Sequence, residues 1–205
     1  MSDRQTPALV VIGCSWGGLD AMSVLLEALP SDFGLPVVLV QHRAAGSSDA
    51  TLAQLLARHT HLAVRDIEDK APIEPSTLHL APPDYHVLVE PGHFALSTEA
   101  RVRSARPSAD LLFETASDAY VDRVAGVVLT GAGNDGARGL ARISQRGGHT
   151  MVEDPSSATR PQMPRAALAA CAPDVVGTLR DLAEALGHLG HREPAGVAAG
   201  QGGAR

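Results

Sequence analysis

The amino-acid sequence predicts an α/β protein: a doubly wound, mostly parallel sheet flanked by helices, with an antiparallel hairpin extension. Three observations carry this expectation. ALVVIG at 8–13, VVLV at 37–40 and VAGVVLT at 124–130 are continuously apolar rather than alternating, as strands covered on both faces require. Stretches with apolar residues at helical spacing separate the strand candidates. Aromatic residues make up only 3% of the 205 residues, so Val, Leu, Ile and Ala must fill the core, which suits layered α/β packing better than a β-sandwich.

The elements follow in order. Ala8–Gly13 is the first buried strand, and Leu19–Leu29 is a helix closed by Pro30. Val37–Val40 is the second strand, followed by a helix over Ala50–Arg58. Leu78–Ala81, His86–Glu90 and Phe94–Ser97 are short strands separated by Pro-Pro-Asp and Pro-Gly. Those separators read as hairpin turns, so the antiparallel extension is expected there. Ser108–Ser117 is a helix, Val124–Thr130 the third buried strand, and a Gly-rich loop leads into a helix through Gln145. His149–Val152 is a further strand, with helices over Pro164–Cys171 and Thr178–Leu189.

The length suits one domain, over 1–189, with 190–205 turning to Gly, Ala, Pro and Gln and expected to be a disordered tail. The formal charge is −6, and Lys70 is the only lysine. With no basic stripe, a nucleic-acid partner is not expected. No apolar stretch approaches the roughly 20 residues needed to span a bilayer, so no membrane insertion is expected. The acidic, non-apolar start is unlike a signal peptide, and a cytoplasmic location is expected. Cys14 and Cys171 do not make a disulfide framework. A monomer is the default.

Polar segments follow the three strongest strands: Cys14-Ser15-Trp16-Gly17-Gly18, Gln41-His42-Arg43 and Gly131–Gly136. A doubly wound sheet brings such segments to one edge. Together they supply a serine, a histidine and an aspartate, the set that acyl transfer uses. A serine hydroxyl is too weakly acidic to attack an ester unaided, so a histidine takes its proton and a carboxylate steadies the imidazole.

Each segment also has a plainer reading. Gly13–Gly17 matches G-x-S-x-G, a sharp turn that exposes Ser15 near a helix N-terminus, but also fits an anion or phosphate loop. A nucleotide site is not expected: the chain is read as lacking G-x-G-x-x-G and G-x-x-x-x-G-K-[ST], and the second strand ends in Gln41-His42 rather than a ribose-binding acid. A lone histidine such as His42 can be structural, and Asp135 in Asn-Asp-Gly can simply cap a turn. Cys14 is the rival nucleophile, although strand alternation points it away from Ser15 and a small buried cysteine is expected. His59-x-His61 lacks acidic or cysteine partners at metal-ligand spacing, so a solvated helix end is expected there and no metal.

With these residues laid out, the chain resembles the catalytic domain of CheB-type protein-glutamate methylesterases over Val10 to Leu189. The markers are IGCSWGG at 12–18, QH at 41–42, LAPPDYHVLVE at 80–90, RPSADLLFETAS at 106–117, LTGAGNDGARGL at 129–140 and EDPSSATRPQMPRAAL at 153–168. The resemblance implies a Rossmann-like fold and a serine hydrolase that removes γ-methyl groups from methylated glutamates of a chemoreceptor cytoplasmic domain. Deamidation of glutamines is implied as a side activity, and no cofactor is needed. By motif position the nucleophile falls on Ser15, the general base on His42 and the aspartate on Asp135. The oxyanion-stabilising backbone falls near Trp16 and Ala132.

The chain departs from the family pattern where Trp16 replaces a small or hydroxyl residue and Ala132 a methionine. The indole is expected to narrow or reshape the cleft, and Ala132 to open space opposite. Only about seven residues precede the first strand, too few for the receiver domain typical of the family. Constitutive activity or control by a separate regulatory partner is therefore expected. Two other readings remain. An ordinary small-ester α/β-hydrolase would use a late base such as His149 or His188. A chemosensory binding module would keep the fold with a silent serine.

Overall fold

The computed structural model of the chain describes residues 6–42 and 49–190. The first half begins with β1 (Leu9–Cys14), α1 (Gly18–Ala28), β2 (Val37–Gln41), α2 (Asp49–Leu56), β3 (Ala63–Asp66) and β4 (Thr77–Leu80). A hairpin of β5 (His86–Glu90) and β6 (His93–Ser97) follows, then α3 (Ala109–Tyr120). The rest is β7 (Val124–Val128), α4 (Ala137–Gln145), β8 (His149–Glu153), α5 (Gln162–Ala170), β9 (Val175–Gly177) and α6 (Leu179–Gly190).

The main sheet has the order β3-β4-β2-β1-β7-β8-β9, and its pairings are parallel. Its unbroken apolar strands follow from burial on both faces. Val10, Ile12, Leu39, Val127 and Met151 pack with Met22, Leu25 and Leu186 on one side. Leu9, Val11, Val38, Val40 and Val128 pack with Leu112, Phe113 and Leu140 on the other. Each residue switches face from its neighbour, so both layers draw on the same strands, and the buried polar strand residues Thr77, His79, Thr150 and Glu153 lie outside β1 and β7.

One expectation is corrected. Leu78–Ala81 was expected to join the antiparallel extension, but β4 lies inside the main sheet, with Val37 opposite Leu78 and Leu39 opposite Leu80 in parallel register. All of β4 is buried, the burial of an interior strand rather than of a half-solvated hairpin. Pro82-Pro83-Asp84 is therefore the passage from sheet to hairpin. The antiparallel sheet itself is β5 with β6, closed at Pro91-Gly92, where Gly92 takes φ 83°.

The tail was expected over 190–205, but Gly190 is the buried last residue of α6, and 191–205 lie outside the described residues. Among the described residues no helix is long and apolar enough to cross a membrane.

Candidate active site

The order of the strands locates the site. From β1 the chain first builds β2, β4 and β3 on one side, then returns to lay β7, β8 and β9 on the other. The loops leaving the C-terminal ends of β1, β2 and β7 therefore diverge and leave a crevice between them. Ser15 follows β1, His42 follows β2, and 131–136 follows β7. Backbone bonds hold the three exits together: the His42 N–H donates to the Cys14 carbonyl at 3.0 Å and the Ser15 N–H to the Thr130 carbonyl at 3.0 Å.

Asp135 is 5% exposed and accepts hydrogen bonds on both oxygens. Oδ1 accepts the Ser108 hydroxyl at 2.9 Å and the N–H groups of Asp110 and Gly136 at 3.0 and 3.1 Å. Oδ2 accepts the Ala109 N–H at 2.7 Å and His42 Nε2 at 2.8 Å. Most of these donors come from the first turn of α3, whose free N–H groups and positive dipole end favour an anion. Burial alone would push the Asp135 carboxyl up, but the His42 bond, the Asp110 N–H and the Ala109 N–H outweigh it and hold the group below its ordinary value. The carboxylate is thus ionised, immobile and aimed at one nitrogen of His42.

Ser15 is set by close backbone approach. Gly17 caps α1 with φ 80°, a left-handed conformation that glycine adopts without strain. On the opposite side, a Cβ on Gly131 would come within 2.8 Å of the Ser15 Cβ and collide with the Met163 sulfur, so only glycine admits the β7 loop here. Gln41 ties the first two exits together: its Nε2 donates to the Ser15 carbonyl at 2.7 Å and to the His42 carbonyl at 3.3 Å. Its Oε1 accepts the Cys14 thiol at 2.8 Å. Cys14 is fully buried, and burial followed by the nearby Glu153 carboxylate pushes its thiol far up, so it is a core residue. Trp16 is 65% exposed, so its indole stands largely in solvent. Among the described residues the N–H groups of Trp16 and Ala132 have no hydrogen-bond acceptor.

A cleft of about 190 Å³ opens beside His42 and Asp135, lined on the β7 side by Ala132, Gly133 and Asn134. Its other wall is the 101–106 segment, a tight turn in which Val102 and Ala105 exchange backbone hydrogen bonds at 3.1 and 2.8 Å. Arg103 and Ser104 both take positive φ, 49° and 68°, as a two-residue hairpin turn requires. Neither residue is suited to that conformation, and ion pairs steady the turn: Arg103 with buried Asp110 at 3.3 Å and Arg101 with Asp84 at 2.7 Å.

The structure thus brings Ser15, His42, Asp135, Trp16 and Ala132 to one edge. It separates the rival bases: His149 opens β8 at the opposite edge of the sheet, and His188 lies on α6 in contact with Glu184. His59 pairs with Glu27 at 2.6 Å at the end of α2. Two participants escape sequence reasoning. Ser108 was legible as a helix start, but its bond to Asp135 was not. Gln41 sits beside His42 without advertising its clamp. The reading that the chain lacks G-x-G-x-x-G is corrected: Gly131–Gly136 spells that nucleotide-loop pattern, but the Gly136 N–H that would meet a phosphate is taken by Asp135.

The family model for CheB methylesterase matches residues 10–186. A Leptospira interrogans protein provisionally named a protein-glutamate methylesterase/protein-glutamine glutaminase is 43% identical over 176 residues, 85% of this chain and 91% of that protein. A Symbiobacterium thermophilum protein-glutamate methylesterase/protein-glutamine glutaminase is 36% identical over 185 residues, 90% of this chain and 51% of its own length. The protein-glutamate methylesterase FrzG of Myxococcus xanthus is 38% identical over 161 residues, 78% of this chain and 48% of FrzG. The crystal structure of the Thermotoga maritima CheB methylesterase catalytic domain superposes with a TM-score of 0.84 at 29% identity, covering 90% of this chain and all of that one. Sequence and fold agree along nearly the whole described chain, and it belongs to the CheB methylesterase family.

Proposed function

We propose that the protein is a serine esterase that hydrolyses γ-methyl esters of glutamates on a chemoreceptor cytoplasmic domain, releasing methanol, with Ser15 as nucleophile, His42 as base and Asp135 as its orienting carboxylate. The observation that carries this reading is the 2.8 Å bond between His42 Nε2 and the buried Asp135 carboxylate at the strand edge shared with Ser15. The names of the relatives supply the substrate class.

The chemistry follows from the proton positions. An ionised carboxylate on Nε2 keeps the proton there, which leaves the lone pair on Nδ1. Nδ1 therefore takes the Ser15 proton as Oγ attacks the ester carbonyl. The tetrahedral oxyanion is met by the N–H groups of Trp16 and Ala132. Collapse breaks the bond to methoxide, which leaves as methanol with the proton from His42. Water, deprotonated by the same nitrogen, then cleaves the glutamyl-enzyme to the free carboxylate and regenerates Ser15. Asp135 stays ionised throughout and stabilises the transient imidazolium. The same sequence on a glutamine amide would expel ammonia, which matches the glutaminase part of the relatives' names.

The test is methanol release from a methylated chemoreceptor fragment, with Ser15→Ala run in parallel. Release by the wild type that disappears in the variant supports the assignment. Undiminished release by the variant overturns Ser15 as nucleophile.

A further inference from the structure

We propose that Trp16 and Arg160 form a substrate-binding platform beside Ser15, which takes a segment of the substrate chain carrying an apolar side chain and a carboxylate close to the methylated glutamate. The proposal rests on the esterase reading of Ser15 and goes beyond it by naming what surrounds the ester.

The platform is built rather than incidental. Trp16 is the only tryptophan of the chain, follows Ser15 directly and stands 65% exposed. The Arg160 guanidinium lies over the ring, 5.3 Å from its centroid. Both backbones are tied to one side chain: the Thr130 hydroxyl donates to the Trp16 carbonyl at 3.0 Å, and the Arg160 N–H donates to that hydroxyl at 2.8 Å. Gly131, the glycine that abuts Ser15, also donates its N–H to the Arg160 carbonyl at 2.9 Å. The backbones that carry the indole and the guanidinium are therefore held in register with the loop of the nucleophile.

Charge selects the occupant. The cleft arginines are already engaged, Arg101 with Asp84 and Arg103 with Asp110. Among the described residues no carboxylate pairs with Arg160. A cation without a carboxylate partner over Trp16, the residue after Ser15, in a chain of net charge −6, is a local attraction for an acidic segment that the rest of the surface repels. The stacked indole offers an apolar face where guanidinium–carboxylate pairing is partly shielded from water.

The experiment uses the single tryptophan as its own reporter. The Ser15→Ala protein is titrated with a methyl-esterified glutamate peptide carrying flanking glutamates, and with the same peptide carrying flanking glutamines, while tryptophan fluorescence is followed. The acidic peptide should give a saturable change, and the neutral one should bind about tenfold more weakly. In the Ser15-intact protein, Arg160→Gln should raise KM for the acidic peptide about tenfold and leave KM for the neutral peptide nearly unmoved. Saturable binding, seen by calorimetry, with unchanged Trp16 emission overturns the platform and leaves the esterase reading standing. Equal KM effects on both peptides overturn the role of Arg160. If the wild type turns over neither peptide and a fluorophosphonate probe leaves Ser15 unlabelled, the esterase reading fails and the platform falls with it.

Discussion

His42 Nε2 and Asp135 Oδ2 lie 2.8 Å apart, and that same oxygen also accepts the Ala109 N–H at 2.7 Å. One carboxylate therefore orients the proposed base and anchors α3. Asp135→Asn would place an amide N–H against donors. It should lower kcat by a factor on the order of 10³–10⁴ and destabilise the fold by about 1–3 kcal/mol. Ser15→Ala should remove activity while moving stability by less than about 0.5 kcal/mol. Urea unfolding alongside methanol release separates the two, and an Asp135→Asn protein of wild-type stability would contradict the anchoring role.

Ser108 serves both ends of this arrangement. Its Oγ donates to Asp135 at 2.9 Å and, at 3.5 Å, accepts the Leu111 N–H as the cap of α3. Ser108→Ala should cost about 1 kcal/mol of stability and reduce kcat more than it changes KM. A variant with wild-type kcat would show that the remaining Asp135 donors suffice.

Two buried carboxylates should drive stability in opposite directions with pH. Asp135 lies below its ordinary value of 3.8, so its contribution is present above that value and lost as pH falls through the lower native one. Glu153 is raised above 4.5, chiefly by burial that outweighs the Thr130 N–H it accepts. Its contribution is complete below 4.5 and is lost as pH rises through the higher native value. Relative to Glu153→Gln, the wild type should thus lose thermal stability as pH rises from about 4.5. Relative to Asp135→Asn, it should gain as pH rises towards 3.8 and then level off. Melting points that run parallel across pH for the wild type and Glu153→Gln would refute the Glu153 half.

Cys14→Ser should retain activity within about threefold, because a serine hydroxyl can replace the thiol as donor to Gln41 Oε1 at a modest core penalty. In the native protein Cys14 should resist thiol reagents. A loss of methanol release as large as that of Ser15→Ala would reopen Cys14 as nucleophile.

Much of this site was legible because its determinants are local. Continuous apolar runs named β1, β2 and β7, and the polar residues immediately after them are those that meet at the switch point. The short strands β3 and β9 were missed because three or four residues carry too little pattern, and Arg65 and Asp66 of β3 are exposed. β4 was placed in the wrong sheet since a short apolar strand looks alike in either until its partner is known. The Gln41 clamp, the Ser108 bond and the Trp16–Arg160 stack join residues 26 to 144 positions apart, and no spacing rule reaches across such distances. The positive-φ turn at Arg103 and Ser104 was invisible for another reason: neither residue advertises that conformation.

The position of β1 between β2 and β7 also decides when the centre of the sheet can close during synthesis. Ser15 hydrogen-bonds to Thr130, and Leu9–Gly13 are in register with Val124–Val128. β1 thus waits for a partner made more than a hundred residues later, the non-local closure that slows folding. A nascent chain emerging from the ribosome carries Ser15 and His42 early but lacks Asp135, Ala132 and the Gly131 wall until β7 follows. The proposed site is therefore incomplete until β7 has been made, and products of synthesis interrupted before β7 lack its Asp135.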